Sequence, residues 1–207
     1  HFSSHKVSLV FSSMNKTLIN KLLEKIFQQE QLQIAELILR PEYVEKEIFP
    51  ELSHKTQFLC ISPIVLASPE KSSFYAKHFV SPSIELFSQL LYEATIERMK
   101  SCKFYTESDF NENISFKFVP DNAYLEKIKN QDKKFARIYG IQDYTQRYEI
   151  RGYTLPFTLE ASPLIQNFVI NCGIGAYGYR GYGMLDLVEH QQTQRITLTN
   201  WQMALSD

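Results

Sequence analysis

Five of the chain's seven glycines fall within eleven positions, Gly173, Gly175, Gly178, Gly181 and Gly183, in the run CGIGAYGYRGYGM. Glycine loses more conformational freedom on folding than any other residue. Such a concentration therefore marks a segment whose backbone must take positive φ or come close to something bulky. The run follows a helical pattern and leads into a strand pattern. Dinucleotide-binding loops run the other way, from strand to helix, so a nucleotide cofactor is not indicated. Consecutive backbone N–H groups in such a turn can form a concave anion site. Tyr177, Tyr179 and Tyr182 interleave with the glycines, and Arg180 sits among them. Aromatic faces stack bases, while arginine and free amides hold phosphates. The competing reading is a tight helix-to-strand connection with packed tyrosines.

The rest of the chain alternates strands and helices. Residues 6–13 (KVSLVFSS) place Val7, Leu9 and Phe11 on one face, as a half-buried strand does. Asn15 can cap a helix carrying Leu18, Leu22, Leu23, Ile26 and Phe27 at helical spacing. Two β segments, 32–39 and 43–49, are separated by Arg40-Pro41. Residues 58–66 (FLCISPIVL) read as an apolar strand in which Pro63 demands a local irregularity. Ser81-Pro82 opens a helix to about Lys100 that buries Ile84, Phe87, Leu91 and Ile96 or their neighbours. Strand 114–119, a lysine-rich helical or loop segment 123–134, and a β pair, 135–140 with 148–159, follow. A short helix from Ser162-Pro163 and a final strand at 184–189 complete the order. The second set has the β-α-β-β-α-β order of a ferredoxin-like unit, and the first lacks its opening β-α. The fold class read from this is α+β, with tandem ferredoxin-like (RRM-like) halves. Residues 1–54 form the incomplete first half, 55–190 the second with its glycine-rich loop, and 191–207 a tail.

Composition sets limits. Aromatics make up 14% of 207 residues, enough for a β-rich core with some left for a base-stacking surface. The net charge of −1 means that any nucleic-acid site is a local patch on a neutral body. Residues 127–180 carry the candidates Lys127, Lys129, Lys133, Lys134, Arg137, Arg147, Arg151 and Arg180, of which Arg151 and Arg180 are favoured by position. Cys60, Cys102 and Cys172 form no paired motif, as in a reducing cytoplasm. No apolar run approaches the roughly 18 residues of a membrane span. Neither ligand-spaced histidines and carboxylates nor a GxSxG elbow occurs, so no metal or cofactor is expected.

The glycine run ending in a strand, GIGAYGYRGYGMLDLV, resembles the C-terminal loop of the CRISPR-associated repeat-processing endoribonucleases of the RAMP group. The Ser62-Pro63-Ile64 strand is similar to the one opening that family's second half. KVSLVFSS with the following helix and hairpin resembles its first half, so the likeness spans about residues 6–190. It implies a ribonuclease without metal or other cofactor that recognises a CRISPR repeat in a precursor transcript and cuts once per repeat. It often remains in an effector complex. In this chemistry the neighbouring 2′-hydroxyl attacks its own phosphate, with a base, an acid and cations for the phosphorane charge. Family members carry a strand and a helix ahead of the segment that starts here, with the proton-transferring histidine near that helix's end. His1, just before Phe2-Ser3, is therefore the first catalytic candidate and His5 the second, while His54, His78 and His190 read as surface residues. Arg151, Arg180, Arg137, Arg147, Lys133, Lys134 and the five glycines are the candidate RNA contacts. The alternatives are a non-catalytic repeat-binding subunit and the processing module of a larger fusion protein. The partners implied are CRISPR repeat RNA and other effector subunits or fused domains, in the cytoplasm and without a membrane.

Overall fold

A computed structural model describes residues 5–67, 76–110, 115–142, 147–188 and 194–198. In chain order the elements are α1 (Lys16–Phe27), β1 (Leu32–Ile34), β2 (Leu37–Leu39), β3 (Val44–Ile48), β4 (Lys55–Cys60), β5 (Ile64–Val65) and α2 (Glu85–Ser101). There follow β6 (Phe116–Pro120), α3 (Asn122–Asn130), β7 (Ala136–Gln142), β8 (Arg147–Tyr153), β9 (Phe157–Ala161), α4 (Pro163–Cys172), β10 (Leu185–Leu187) and β11 (Gln194–Leu198). They divide into two compact units, residues 1–48 with 193–207, and residues 49–192.

In the first unit the Asn15 side chain caps α1, accepting the Leu18 N–H at 3.0 Å. The segment 32–39, expected as one strand, is a hairpin: it turns through Ala35 at φ 52°, and Leu32 pairs with Leu39. β3 pairs antiparallel with β11, setting Val44 opposite Leu198. Residues 6–13 are not a half-buried strand, for they carry no ladder and Val7, Leu9 and Phe11 are exposed. Alternation specifies a strand only where a neighbour supplies the hydrogen bonds, and no described residue does so here.

The second unit is built on a four-stranded antiparallel sheet of order β10-β4-β9-β6. With α2 after β4 and α4 after β9, this is the ferredoxin-like arrangement of two interleaved split βαβ units. Phe58, Phe87, Phe118, Leu159 and Phe168 share one buried core, with the Phe118 and Phe157 rings stacked at 4.5 Å. Between its second and third strands the chain makes an excursion through α3 and the β7–β8 hairpin. This hairpin joins β5 in a separate three-stranded sheet of order β5-β8-β7.

Two expected strands are thereby split. Residues 58–66 leave one sheet as β4 and enter the other as β5, breaking at Ser62-Pro63. Residues 148–159 do the same from β8 to β9, breaking at Pro156. Proline has no N–H for a ladder, so a strand crossing it changes partners there. Helix α2 starts at Glu85 rather than Pro82, because 81–83 close a turn in which the Ile84 N–H reaches the Ser81 carbonyl at 3.3 Å; Ile84 itself is exposed. Helix α4 begins as expected, with the Ser162 hydroxyl accepting the Ile165 N–H and proline in the first turn. Among the described residues no helix is long and apolar enough to cross a membrane.

Candidate nucleic-acid interface

The glycine-rich run connects α4 to β10 and is threaded between β5 and α2. Its amides are largely consumed by the protein's own atoms. The Ala176 N–H donates to the Val65 carbonyl at 2.8 Å, the Gly175 N–H to the buried Thr95 hydroxyl at 3.1 Å, and the Gly183 N–H to the Pro63 carbonyl at 2.8 Å. The Met184 N–H is taken by the Ser62 hydroxyl at 2.8 Å. The Ser62-Pro63 segment is thus the rail on which the loop is seated. Gly173, Gly175, Gly181 and Gly183 have positive φ. A Cβ on Gly183 would strike the Ile174 carbonyl, one on Gly175 the Val65 carbonyl, and one on Gly173 would lie 3.0 Å from the Gly183 carbonyl oxygen. The close approach these glycines permit is to their own chain. Gly181 differs: a Cβ there would meet nothing within 4 Å.

The sequence reading missed the group that organises this turn. Arg98, on α2, buries its guanidinium against the end of α4. Its Nη1 donates to the Gly173 carbonyl at 2.9 Å and the Gly175 carbonyl at 2.8 Å, and its Nη2 to the Cys172 carbonyl. The guanidinium also lies 5.3 Å from the Phe168 ring centroid. A cation at a helix C-terminus satisfies carbonyls that have no partner within the helix. Burial lowers the Arg98 pKa, with Cys172 and Cys102 acting in the opposite sense; arginine remains protonated regardless. A side chain on Gly178 would collide with this guanidinium. The available signal was spacing: Phe87, Leu91, Ala94 and Arg98 lie on one stripe of α2, and the first three are buried.

Outward, the loop presents fewer groups than its composition suggests. Tyr177 is 3% exposed and packs with Tyr148 and Tyr182 at ring distances of 6.2 and 6.3 Å. Burial and the neighbouring Tyr139 raise the Tyr182 pKa, and Arg180 works against them. Tyr179 is 75% exposed, with the Arg180 guanidinium 5.6 Å from its ring centroid. Arg180 is braced by donating Nη1 to the Gln142 carbonyl at 3.2 Å. Gln142 is the cross-strand partner of Arg147, which is exposed. Arg180 thus reaches the end of the hairpin, while the Arg147 guanidinium lies over Gly140.

Arg151 lies further along β8, donating Nε to the Ala76 carbonyl at 3.1 Å. Arg137 pairs opposite Gly152, so the pleat turns it to the other face of the hairpin from Arg147 and Arg151. Lys133 and Lys134 are exposed in the turn between α3 and β7. His5 is exposed in the first unit, whereas His1 and His190 lie outside the described residues. His54 precedes β4, at the end of that strand away from the loop: the Ala161 N–H donates to its carbonyl, while Cys60 at the other end pairs with Leu185. Among the described residues no group of three or more histidines, cysteines and carboxylates could hold a metal ion.

Comparison with known proteins places this arrangement. None of the curated proteins matches the chain. A solved structure of a RAMP protein described as binding different RNA substrates aligns with a TM-score of 0.55 and 20% identity. The alignment covers 86% of this chain and 66% of that one. A Cas6-related protein from Pyrococcus furiosus aligns with a TM-score of 0.56 and 19% identity, over 87% of this chain and 67% of that one. The chain thus spans about two thirds of the length of these structures, and at such identities the likeness is one of fold. The sequence model of the family described as CRISPR associated protein Cas6, C-terminal, matches residues 41–187, from before β3 through β10 and including the whole glycine-rich loop. With well over half of its length inside that match, the chain belongs to the CRISPR-associated Cas6 family.

Proposed function

We propose that this protein binds the repeat segment of a CRISPR transcript at the glycine-rich loop and cleaves it as a metal-independent endoribonuclease. The observation that carries the reading is the exposed Tyr179 ring beside Arg180 at the rim of that loop, with Arg147 exposed on the adjoining hairpin, in a chain of the Cas6 family. A base stacks on the exposed ring, and the two arginines take phosphate oxygens. In the reaction the 2′-hydroxyl loses its proton to a base and attacks the adjacent phosphorus. The bond to the 5′-oxygen breaks, and an acid protonates that leaving oxygen. The products end in a 2′,3′-cyclic phosphate and a 5′-hydroxyl. Arginine charge stabilises the phosphorane, and His1 and His5 are the candidates for proton transfer.

The test uses the full-length protein with repeat RNA from its own locus. Cleavage is expected to continue in excess chelator, to leave a cyclic phosphate, and to stop when a single 2′-deoxy nucleotide precedes the scissile phosphate. Replacing whichever of His1 and His5 moves the proton is expected to slow cleavage about 10²–10⁴-fold with binding intact. Chelator-sensitive cleavage would overturn this chemistry. The second reading is a repeat-binding subunit without catalysis, active in the cytoplasm with other CRISPR effector subunits or as part of a fusion protein. The position of His54 at the end of β4 away from the loop favours it. Tight binding of the repeat with no cleavage at all would establish it.

A further inference from the structure

The C-terminal ends of α2 and α4 meet at Arg98, and each carries a cysteine. Cys102 caps α2, its N–H donating to the Arg98 carbonyl at 3.1 Å and its thiol to the Met99 carbonyl at 3.0 Å. Cys172 is the last residue of α4, and its carbonyl is one of the three that Arg98 holds. Directly after Cys102 the chain turns through Lys103 at φ 58°, a conformation that few residues other than glycine adopt. That turn leads to Tyr105, whose ring lies 6.0 Å from the ring of Phe168. Phe168 stands one helical turn before Cys172, and Arg98 one turn before Cys102. Cys102, Tyr105 and Cys172 are all half-buried against the same core.

Arg98 has no carboxylate partner among the described residues. The titratable groups that act on it are thiols, Cys172 ahead of Cys102. Burial pushes the Tyr105 phenol up to about 12, and the same two cysteines push it in the same direction, ahead of Asp109. Two thiols therefore stand within electrostatic reach of one guanidinium and one phenol. A neighbouring cation favours the thiolate, which is the nucleophilic form. Cys60 is the contrast: burial pushes its thiol up to about 11, and it donates to the Leu155 carbonyl at 3.0 Å.

We propose that Cys102 and Cys172 are a redox pair whose disulfide locks the seat of the glycine-rich loop, with a peroxide as the oxidant. The Cys172 thiolate attacks one peroxide oxygen, the O–O bond breaks, and the departing oxygen leaves as water. The Cys102 sulfur gives up the Met99 carbonyl and attacks the sulfenic acid so formed. It loses its proton as the S–O bond breaks and a second water leaves. Two thiols are thereby oxidised to one disulfide, and the peroxide is reduced to two waters. The bridge ties the end of α2 to the start of the loop, the same two places that Arg98 already joins through the Cys172 and Gly173 carbonyls. It also closes the long segment 102–172 and so constrains the unfolded chain. The lock holds whatever the loop binds, and it does not rest on the RNA-binding reading.

The test compares the full-length protein after hydrogen peroxide with the same protein after a dithiol reductant, alkylating the remaining thiols before digestion and mass spectrometry. One peptide joining Cys102 to Cys172 within a single chain is expected, reversed by the reductant, with Cys60 recovered as the alkylated thiol. The melting midpoint of the oxidised form is expected about 4–16 °C above that of the reduced form. The amides of Gly175, Ala176 and Gly183, which hold the loop to Thr95, Val65 and Pro63, should exchange with deuterium at least about tenfold more slowly once the bridge is made. Cys102→Ser and Cys172→Ser should each abolish both shifts, and Cys60→Ala should keep them. Arg98→Ala should lower the midpoint less in the oxidised protein than in the reduced one, since the bridge replaces part of its tie. A bridge between two copies, or oxidation of either cysteine to sulfinic acid with no bridge, overturns the pair. A bridge that forms and leaves the three loop amides exchanging as before overturns the lock, and the parent protein alone decides both points.

Discussion

Arg98 and Gly178 form a matched pair, because the space a Cβ would fill at one is occupied by the guanidinium of the other. Arg98→Ala leaves the carbonyls of Cys172, Gly173 and Gly175 without their donor. A buried acceptor left unsatisfied costs about 1–3 kcal/mol, so a loss of about 3–5 kcal/mol is expected from the denaturation midpoint. Gly178→Ala alone should displace the guanidinium and lose much of the same stability. In the Arg98→Ala background that second change should cost clearly less, with a coupling of about 0.5–3 kcal/mol. A residue of strain would persist, since the added Cβ also lies 2.8 Å from the Cys172 carbonyl oxygen. Additivity within about 0.5 kcal/mol would show that the two sites do not share this contact. Gly181→Asn belongs beside them as a control, because asparagine tolerates positive φ and nothing crowds that position.

At the scale of elements, β5 holds the hairpin to the loop through few atoms. Gly152 lies opposite Val65, and a Cβ on Gly152 would stand 2.6 Å from the Pro63 Cβ and 2.9 Å from the Tyr139 ring. Gly152→Ala is therefore expected to cost about 1–3 kcal/mol by overpacking. Hydrogen exchange should show the loss in β5, β8 and the loop amides seated on Val65 and Pro63, while β4 and β9 keep their protection. Uniform loss across both sheets would deny that the hairpin sheet opens by itself. This division also shows what the sequence could reveal. Asn15 with the apolar period of α1, and Ser162-Pro163 at the start of α4, are local signals, and these helices lie where such signals put them. Pro63 signals an irregularity within 58–66, whereas the sequence reading of 148–159 takes no account of Pro156, and a proline does not say which strand the next residue will pair with, so both crossings between sheets read in sequence as continuous strands. The glycine cluster was legible as an unusual turn. That most of its amides and close contacts serve the protein's own Pro63, Val65, Thr95 and Arg98 was not, because those partners are about 80 to 120 residues away in the chain. Tyr177 and Tyr179 look alike in sequence, and only packing separates the buried ring from the exposed one.

Across the whole molecule, burial is unevenly shared. The large unit holds every residue of both buried clusters, and no described residue from 5 to 48 is buried. Apolar area removed from water is the main favourable term in folding, at about 25 cal/mol per Å². The first unit's described elements draw little from it: α1 has no buried residue, and the β3–β11 ladder carries Glu47 paired with Arg195 at 2.9 Å on its exposed strands. An exposed ion pair of this kind contributes about 0–1 kcal/mol. Local opening is easiest where buried contacts are few. The amides of α1 and of β3 should therefore exchange with solvent deuterium through local opening, orders of magnitude faster than those of β4, β9 and α4, whose slowest members should report global unfolding. A chain that opened as one cooperative body would instead show the same limiting exchange free energy in α1, β3 and β9. Protection in α1 and β3 equal to that in β9, measured on the protein without RNA, would mean that the first unit is stabilised by more than its own described contacts.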